Sequence, residues 1–409
     1  MEKEKKGLSM TTQIVIALVL GIAFGYFFKD YVGYIDFLGQ IFLRLIQMGI
    51  VFLILGQIVE AIGSLEIKQL GTIGLRTIII FMISSLLASA WGVLFGLIFK
   101  PGSGISDTVS TSVDIEATQT PFSEVIINFF PQNIVDAMAN GAIVQIISFA
   151  IFFGIALSIR ASVSEPKFLP VLVDFNTIIL QMIRLVMGFA PIGIFALIAS
   201  AIAEYGIALI LPLVSYLLVY SGATLLFLLA WLLIVSLYLR VSIIALVKKM
   251  SRMSIIALAT TSSAITLPTA IEDSEERLGI KREVSRLVLP LGMSLNSNGS
   301  AMFMSITIIT VAQIYGVQYG LTNYVFIIFL ATLASLANAV VPGGGLVSLS
   351  IVIPQMGLPI ESIAIFAAVE WFTGMIRTIL NVNSDVFSGL IVAKSVDAID
   401  REKLNSTHI

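Results

Sequence analysis

The 409-residue chain contains no cysteine and a single histidine, His408, near its carboxyl end. Without cysteine there can be no disulfides, thiolate metal sites or cysteine nucleophiles. One histidine in a polar terminal stretch provides neither a Ser-His catalytic pair nor a zinc or haem ligand set. A formal net charge of −2, without a long basic run, leaves no site for nucleic acid. We therefore expect no cofactor and no nucleic-acid partner.

Charge of either sign is scarce as well. Only 12% of the residues are charged, against about 25% in a soluble domain, and 58% are apolar. The mean hydropathy is +1.03, and apolar stretches long enough to cross a bilayer recur along the chain. The sequence predicts an all-α polytopic membrane protein that has the lipid bilayer as its solvent. Because it lacks a Gly-rich Lys-Ser/Thr phosphate loop, ATP is not its expected energy source.

The apolar runs predict six helical regions before residue 240, at 11–28, 41–62, 73–99, 122–160 (broken), 167–203 and 209–239. With a cytoplasmic amino terminus, 18 of the 23 basic residues fall on the cytoplasmic side. The positive-inside rule then predicts a multi-pass protein of the cell membrane with both termini in the cytoplasm. Arg44, Arg184 and Arg377 lie at membrane depth, where a charge costs about 2.5 to 3.5 kcal/mol, so each needs a partner, a ligand or a route to the interface.

The second half of the chain contains three interrupted apolar stretches. Stretch 255–271 is broken at 260–268, and stretch 324–353 at 337–345, by small polar residues, glycine and proline. Such breaks are tolerated at membrane depth only where they are buried or line a wet cavity, which favours two re-entrant hairpins over proline-kinked helices. Between them, stretch 287–315 is broken at 296–300, where carbonyl and amide oxygens suit a sodium-like cation.

The last apolar helix carries a polar stripe. At 100° per residue, seven small or polar residues fall within an arc of roughly 100°: Glu370, Gly374, Arg377, Asn381, Ser384, Asp385 and Ser388. Arg377 can present a bidentate fork to a carboxylate substrate, and Asp385 suits a cation. The alternative is an internal ion pair of Arg377 with Glu370 or Asp385.

These motifs resemble the dicarboxylate/amino acid:cation symporter family over essentially the whole chain. The resemblance rests on four elements: the Ser-rich stretch before Thr266-Leu267-Pro268, the Asn-x-x-Gly segment at 296–299, Val-Pro-Gly-x-Gly at 341–345, and Arg377-Thr378-x-x-Asn381-x-x-x-Asp385. It implies eight transmembrane helices, two re-entrant helical hairpins with inverted-repeat symmetry, a homotrimer and an elevator motion.

The resemblance also divides the chain into functional parts. The scaffold would comprise 1–72 (TM1 and TM2) and 121–205 (TM4 and TM5, with the trimer contacts). TM3 with its outer loop would span 73–120 and belong to the transport domain. The remaining parts would be TM6 at 206–241, hairpin 1 at 242–280, TM7 at 281–315, hairpin 2 at 324–359, TM8 at 360–397 and a cytoplasmic tail at 398–409.

Residue roles follow from the resemblance by position. The expected substrate contacts are Ser262, Ser263, Ser300, Val341, Gly345, Arg377, Thr378 and Asn381. One cation site would be formed by Gly292, Asn296, Asn381 and Asp385. A second would be formed by Ser294 and residues 335–338, including Ser335 and Asn338. A deeper third site would draw on Phe81, Ser84, Ser85, Asn296 and Asn298.

The sequence departs from the family pattern in three places, which together involve five residues. Gly374 stands where amino acid carriers place an aspartate for the substrate ammonium. Phe81 and Asn298 resemble a tyrosine and an aspartate of the third cation site, so that site should be weakened. The third serine and the glycine of the first hairpin tip are Ala264 and Ile265.

The resulting prediction is a cation-coupled symporter, not an enzyme. It would import an acidic amino acid or a C4-dicarboxylate with Na+ or H+, and Glu370 is a candidate proton carrier and ammonium partner. One alternative is a sodium-independent or proton-coupled carrier of another small carboxylate or a neutral amino acid. Two others are an anion channel and an intramembrane hydrolase, for which no buried histidine base exists.

Overall fold

The computed structural model describes residues 10–64, 73–103, 127, 129–161, 163, 167–206, 210–336, 344–367 and 369–406. Within these ranges the regular structure is helical, apart from one antiparallel bridge between Ile280 and Ile399. Five of the described helices are long and apolar enough to cross a membrane. The number is six if Ile360–Ala367 and Glu370–Ser395, which meet at 86°, form one bent span. The predicted all-α, multi-pass membrane class is therefore confirmed.

The described residues of the first half form eight helices that follow the hydropathy pattern closely. They are α1 Met10–Phe27, α2 Asp36–Gly63, α3 Leu75–Phe99, α4 Ile134–Ala139, α5 Ile143–Ala161, α6 Phe168–Gly188, α7 Ala190–Tyr205 and α8 Ile210–Leu239. The predicted region 167–203 is two helices, because Pro191 lies in the first turn of α7. Proline lacks the amide proton that would continue α6 and is well accommodated at a helix start.

In the second half, the part that the structure describes forms nine shorter or interrupted helices. They are α9 Ile243–Thr260, α10 Ser263–Glu276, α11 Arg282–Leu295, α12 Asn298–Ile314, α13 Leu321–Ser335, α14 Gly344–Gln355, α15 Ile363–Ala367, α16 Glu370–Ser395 and α17 Arg401–Asn405. Helices α9 and α10 pack against each other, as do α13 and α14. Two of the predicted interruptions contain gaps between helices, at 261–262 and 296–297, whereas most of the third, 337–345, lies outside the described residues.

The turn between α9 and α10 explains why the chain reverses there. Thr261 ends α9 in the left-handed region, at φ 50° and ψ 27°. Ser262 follows in an extended conformation, and its hydroxyl accepts a hydrogen bond from the Ile265 amide at 3.4 Å. A left-handed residue ends one helix, and a serine N-cap starts the next.

The described helices pack in two groups that are interleaved along the chain. Helix α2 packs against α5, α6 and α7, and α1 packs against α7. Helix α3 instead packs against α8 and against three helices of the second half of the chain, α12, α13 and α16. Gly92 of α3 permits this contact, since a Cβ there would lie 2.8 Å from the Met302 carbonyl oxygen. The polar stripe of α16 is consequently buried within the second group.

The carboxyl-terminal segment folds onto this second group. The Lys281 amide donates to the Ala398 carbonyl at 3.0 Å, and the Asp400 amide donates to the Gly279 carbonyl at 2.7 Å. Lys249, 2% exposed, donates to three carbonyl oxygens, those of Arg277 (2.8 Å), Lys403 (2.6 Å) and Leu404 (2.9 Å). The described part of the predicted tail is therefore a docked element.

Candidate functional site

A buried ion pair lies on the polar stripe of α16. Arg377 and Glu370 are each 6% exposed, and Arg377 Nη2 lies 2.9 Å from Glu370 Oε1. The guanidinium carbon of Arg377 also lies 5.0 Å from the centroid of the Phe303 ring, a cation–π arrangement. Of the two partners that the sequence allowed for Arg377, the structure has Glu370. A second anion at Arg377 would therefore compete with the Glu370 carboxylate.

The first turn of α14 reaches this pair through Gly345. Its amide donates to Glu370 Oε1 at 2.9 Å. A Cβ at position 345 would overlap both the Arg377 guanidinium and the Glu370 carboxylate. Only a glycine admits such a close backbone approach, so the second helical pair and the ion pair form one site.

The break between α11 and α12 meets α16 on the other side of Arg377. The Gly299 amide donates to Asn381 Oδ1 at 2.7 Å, and Asn381 Nδ2 donates to the Ser300 hydroxyl at 3.3 Å. A Cβ at 299 would overlap the Arg377 carbonyl oxygen. The structure thus brings Ser300, Asn381, Arg377 and Gly345 together, while the Thr378 hydroxyl donates back to the Gly374 carbonyl at 2.8 Å.

Gly374 leaves an opening beside the ion pair. A Cβ there would meet only Arg377 Nη2 at 3.6 Å and Thr261 Cβ at 4.0 Å. Thr261 borders this opening at the tip of the first helical pair, and its buried hydroxyl has no hydrogen-bond partner among the described residues. The adjacent Ser262 is 4% exposed. The opening therefore combines one cationic donor with one unpaired neutral donor.

Asp385 lies two turns farther along α16 than Arg377. Asn296 Nδ2 donates to Asp385 Oδ1 at 2.9 Å, and a Cβ on Gly292 would lie 2.5 Å from the Asp385 carboxylate. A cavity of about 10 Å³, close to the size of one water, touches the carboxylate. Its lining residues are Ser263, Leu267, Ala270, Leu289, Met293, Val382 and Asp385. Gly292, Asn296 and Asp385 are thus brought together, with Ser263 beside them.

The deeper cluster behind Asn296 is uncharged. The Ser84 hydroxyl lies 2.9 Å from Asn296 Oδ1 and 3.2 Å from Asn298 Oδ1, and the Ser85 hydroxyl donates to Asn298 Oδ1 at 2.9 Å. Phe81 contributes only its carbonyl, which accepts from Ser84 at 3.0 Å. Within the described part of the chain, Asn298 Nδ2 is buried without a partner. An amide donor offers a cation no negative charge here.

The remaining expected cation ligands are not assembled into a cluster by their described contacts. The Ser335 hydroxyl donates to the Thr332 carbonyl at 2.7 Å, and the Ser294 hydroxyl donates to the Pro290 carbonyl at 3.5 Å. Both hydroxyls are thus engaged within their own helices. Val341 and Asn338 lie outside the described residues.

Two tyrosines of α8 adjoin the site and were missed in the sequence. Tyr220 donates its hydroxyl proton to the Gly299 carbonyl at 3.0 Å, and the Tyr216 hydroxyl lies 2.7 Å from that of Thr307. Both side chains are fully buried. A signal was available: tyrosines four residues apart in an apolar span share one face and must find partners for their hydroxyls.

Comparison with known proteins places the chain among membrane transporters. It is 32% identical to the Proton/glutamate-aspartate symporter of Escherichia coli (strain K12), over 97% of this chain and 94% of that protein. It is 33% identical to the Proton/glutamate-aspartate symporter of Bacillus subtilis (strain 168), over 93% and 94%. It is 30% identical to the C4-dicarboxylate transport protein of Pseudomonas savastanoi pv. phaseolicola, over 97% and 88%. The family match spans residues 10–395, so the chain belongs to the sodium:dicarboxylate symporter family and is a transporter rather than an enzyme.

Proposed function

We propose that the chain imports a small dicarboxylate, and that Arg377 binds one of its carboxylates in competition with Glu370. The observation that carries this proposal is the buried Arg377–Glu370 pair, which is contacted by the Gly345 amide. A guanidinium binds either carboxylate by the same charge-assisted hydrogen bonds, so the substrate anion can replace Glu370. Glu370 then needs a new source of neutralisation, and a proton taken up with the substrate supplies it.

The opening at Gly374 favours a C4-dicarboxylate that lacks an ammonium group. An ammonium placed there would lose its hydration beside Arg377 and the neutral Thr261, without a nearby free carboxylate. A second carboxylate can instead accept a hydrogen bond from the Thr261 hydroxyl. The second candidate substrate is an acidic amino acid, with Glu370 as its ammonium partner. It is favoured by the similarity to the two glutamate-aspartate symporters.

We propose that transport is coupled to fewer than three cations, although the family resemblance implies three cation sites. Asp385 would hold one cation with oxygens from Gly292, Asn296 and Asn381, since a carboxylate and amide or carbonyl oxygens are the ligands that hard cations prefer. The deep cluster of Ser84, Ser85, Asn296 and Asn298 bears no charge, and the amide oxygens of both asparagines already accept hydrogen bonds from the two serines. The driving ion is Na+ at Asp385, H+ at Glu370, or both.

The membrane arrangement proposed for this function is the eight-helix fold with two re-entrant hairpins. The α9–α10 and α13–α14 pairs would be the hairpins, and α11–α12 would be one unwound span between them. Helices α1, α2 and α5 to α7 would form the scaffold, and the second packing group, including α3, would form the moving transport domain. Both termini would lie in the cytoplasm, as the distribution of basic residues favours.

A homotrimer is proposed from the exposed face of α6. Asp174, Thr177, Gln181 and Arg184 are exposed in the single chain and fall within an arc of roughly 80° on this membrane-spanning candidate. Facing lipid, the arginine alone would cost about 2.5 to 3.5 kcal/mol. Other copies of the chain that cover this stripe would remove that cost. Native mass spectrometry in lipid-like detergent should show a trimer that Arg184→Leu with Asp174→Leu weakens.

The substrate is tested by competition in proteoliposomes. The wild type should take up labelled succinate, driven by a sodium or proton gradient, and succinate should compete better than aspartate. Gly374→Asp fits the opening and supplies the missing carboxylate, so it should shift the affinity ratio toward aspartate by at least about tenfold, or about 1.4 kcal/mol. Gly374→Asn, equal in size and uncharged, is the matched control. Preference of the wild type for aspartate, or equal ratios in the two variants, would contradict the proposed substrate.

A further inference from the structure

Tyr216 and Tyr220 form a matched pair whose hydroxyls make different contacts. Their rings are nearly parallel, with centroids 6.4 Å apart and an interplanar angle of 9°, and both are fully buried. The Tyr216 hydroxyl meets Thr307, which already donates to the Phe303 carbonyl at 2.7 Å within α12. The Tyr220 hydroxyl instead donates to the Gly299 carbonyl, at the break itself. Of the two tyrosines, Tyr220 therefore bonds to the break between α11 and α12, and Tyr216 bonds to the body of α12.

Gly299 is held on three sides. Its amide proton goes to Asn381 of α16 at 2.7 Å, and its carbonyl accepts from Tyr220 of α8 at 3.0 Å. Its Cα lies so close to the Arg377 backbone that a side chain at 299 would overlap it. Of the two amide side chains proposed to bind the cation, Asn381 accepts this amide proton and Asn296 is three residues away in the chain. The position of the Gly299 peptide therefore sets where those amides point.

The Tyr220 ring also touches the group that supports Arg377. It meets the Phe303 ring edge to face, with centroids 5.8 Å apart and an interplanar angle of 68°. Phe303 in turn lies under the Arg377 guanidinium. The Tyr220 side chain thus contacts the break between α11 and α12 through its hydroxyl, and through its ring it contacts Phe303, which packs against Arg377.

We propose that Tyr220 is a positioning residue that links cation binding at the break to carboxylate binding at Arg377. This inference rests on the proposed function, because it assigns Tyr220 to the coupling within that site. The hydroxyl holds the Gly299 carbonyl, and thereby Asn296 and Asn381, in the geometry that a bound cation needs. The ring contact remains when the hydroxyl is removed, so Tyr220→Phe separates the two contributions.

Hydrogen–deuterium exchange of the purified chain tests the positioning without any substrate. Tyr220→Phe should speed exchange in peptides covering 295–303 by about fivefold, the equivalent of one hydrogen bond worth about 1 kcal/mol. Tyr216→Phe, which removes the same atom one turn away, should leave those peptides unchanged. Equal exchange in the two variants would overturn the inference, whatever the protein transports.

Binding experiments test the coupling. Succinate affinity is titrated against Na+, and against pH if Na+ has no effect on the wild type. In Tyr220→Phe the half-effective cation concentration should rise about tenfold, while succinate affinity at saturating cation changes less than about threefold. A merely structural defect would shift both quantities, and that result, or wild-type values, would refute the linking role. If the wild type binds neither succinate nor aspartate, the proposed function fails, and the exchange experiment still decides the role of Tyr220.

Discussion

Replacing Glu370 with glutamine tests the exchange of carboxylates at Arg377. Glutamine keeps the shape of the side chain and an oxygen that can accept from the Gly345 amide, but it removes the charge that faces Arg377 at 2.9 Å. According to the proposed function, the substrate displaces the Glu370 carboxylate in the wild type, and a proton neutralises that carboxylate afterwards. In the variant, Arg377 has no competing anion. We therefore expect tighter substrate binding that no longer depends on pH.

The expected gain in substrate affinity follows from the burial of the Arg377–Glu370 ion pair. Removing one partner of a buried ion pair costs about 3 to 5 kcal/mol, and a substrate carboxylate that replaces the lost charge recovers part of it. A recovery of about 3 kcal/mol corresponds to roughly 100-fold tighter binding, which is the upper limit expected for Glu370→Gln. In the wild type, uptake of one proton with the substrate weakens binding tenfold for each pH unit of increase, or about 1.36 kcal/mol.

Isothermal titration calorimetry with succinate at several pH values measures both the binding affinity and its dependence on pH. The wild type should show affinity that falls with rising pH, and Glu370→Gln should show a flat profile with higher affinity at neutral pH. Arg377→Ala, in either background, should abolish binding and serves as the control for the site. Parallel pH profiles in the wild type and Glu370→Gln, or weaker binding by the variant at every pH, would falsify the exchange.

Two further changes test the other buried charges. Asp385→Asn removes the carboxylate to which the Asn296 side chain donates, so the cation dependence of succinate binding should weaken at least about tenfold, or about 1.4 kcal/mol; an unchanged dependence on Na+ and on pH would exclude Asp385 as the cation ligand. Lys249→Met removes the buried ammonium group that donates to three carbonyl oxygens, and this should destabilise the docked carboxyl-terminal segment by about 2 kcal/mol. Limited carboxypeptidase digestion should then remove the end of the chain faster than in the exposed-charge control Lys248→Met, and equal rates would contradict the docking role.

Hydropathy alone determined the membrane class and most helix boundaries. The free energy of transferring an apolar residue from water to lipid depends on that residue and its near neighbours. The one-dimensional hydropathy pattern therefore suffices to predict which segments can cross the membrane. The breaks near residues 261 and 297 were predictable for the same local reason, because helical residues cannot be replaced by clusters of small polar residues, glycine and proline without releasing backbone groups. The polar arc of α16 was likewise predictable, since helix period and sequence position fix it.

The partner of Arg377 was decided only by tertiary structure. Along an α-helix, Glu370 lies about 10.5 Å from it in one direction and Asp385 about 12 Å in the other, so the sequence offered two nearly equivalent anions. The Gly345 amide, from a different helical pair, meets Glu370, whereas Asn296 meets Asp385. Glu370 and Asp385 therefore have different roles, because residues from different helices surround each carboxylate.

The contact between Tyr220 and Gly299 shows the same limit. The two residues are 79 positions apart in the chain, and the pattern around Tyr220 predicts only an apolar span. A tyrosine hydroxyl in such a span needs a hydrogen-bond acceptor, but the hydropathy pattern does not identify that acceptor. That choice depends on how α8 and the α11–α12 break pack against each other, because a hydrogen bond requires two groups within about 3 Å and only the folded chain brings them to that distance.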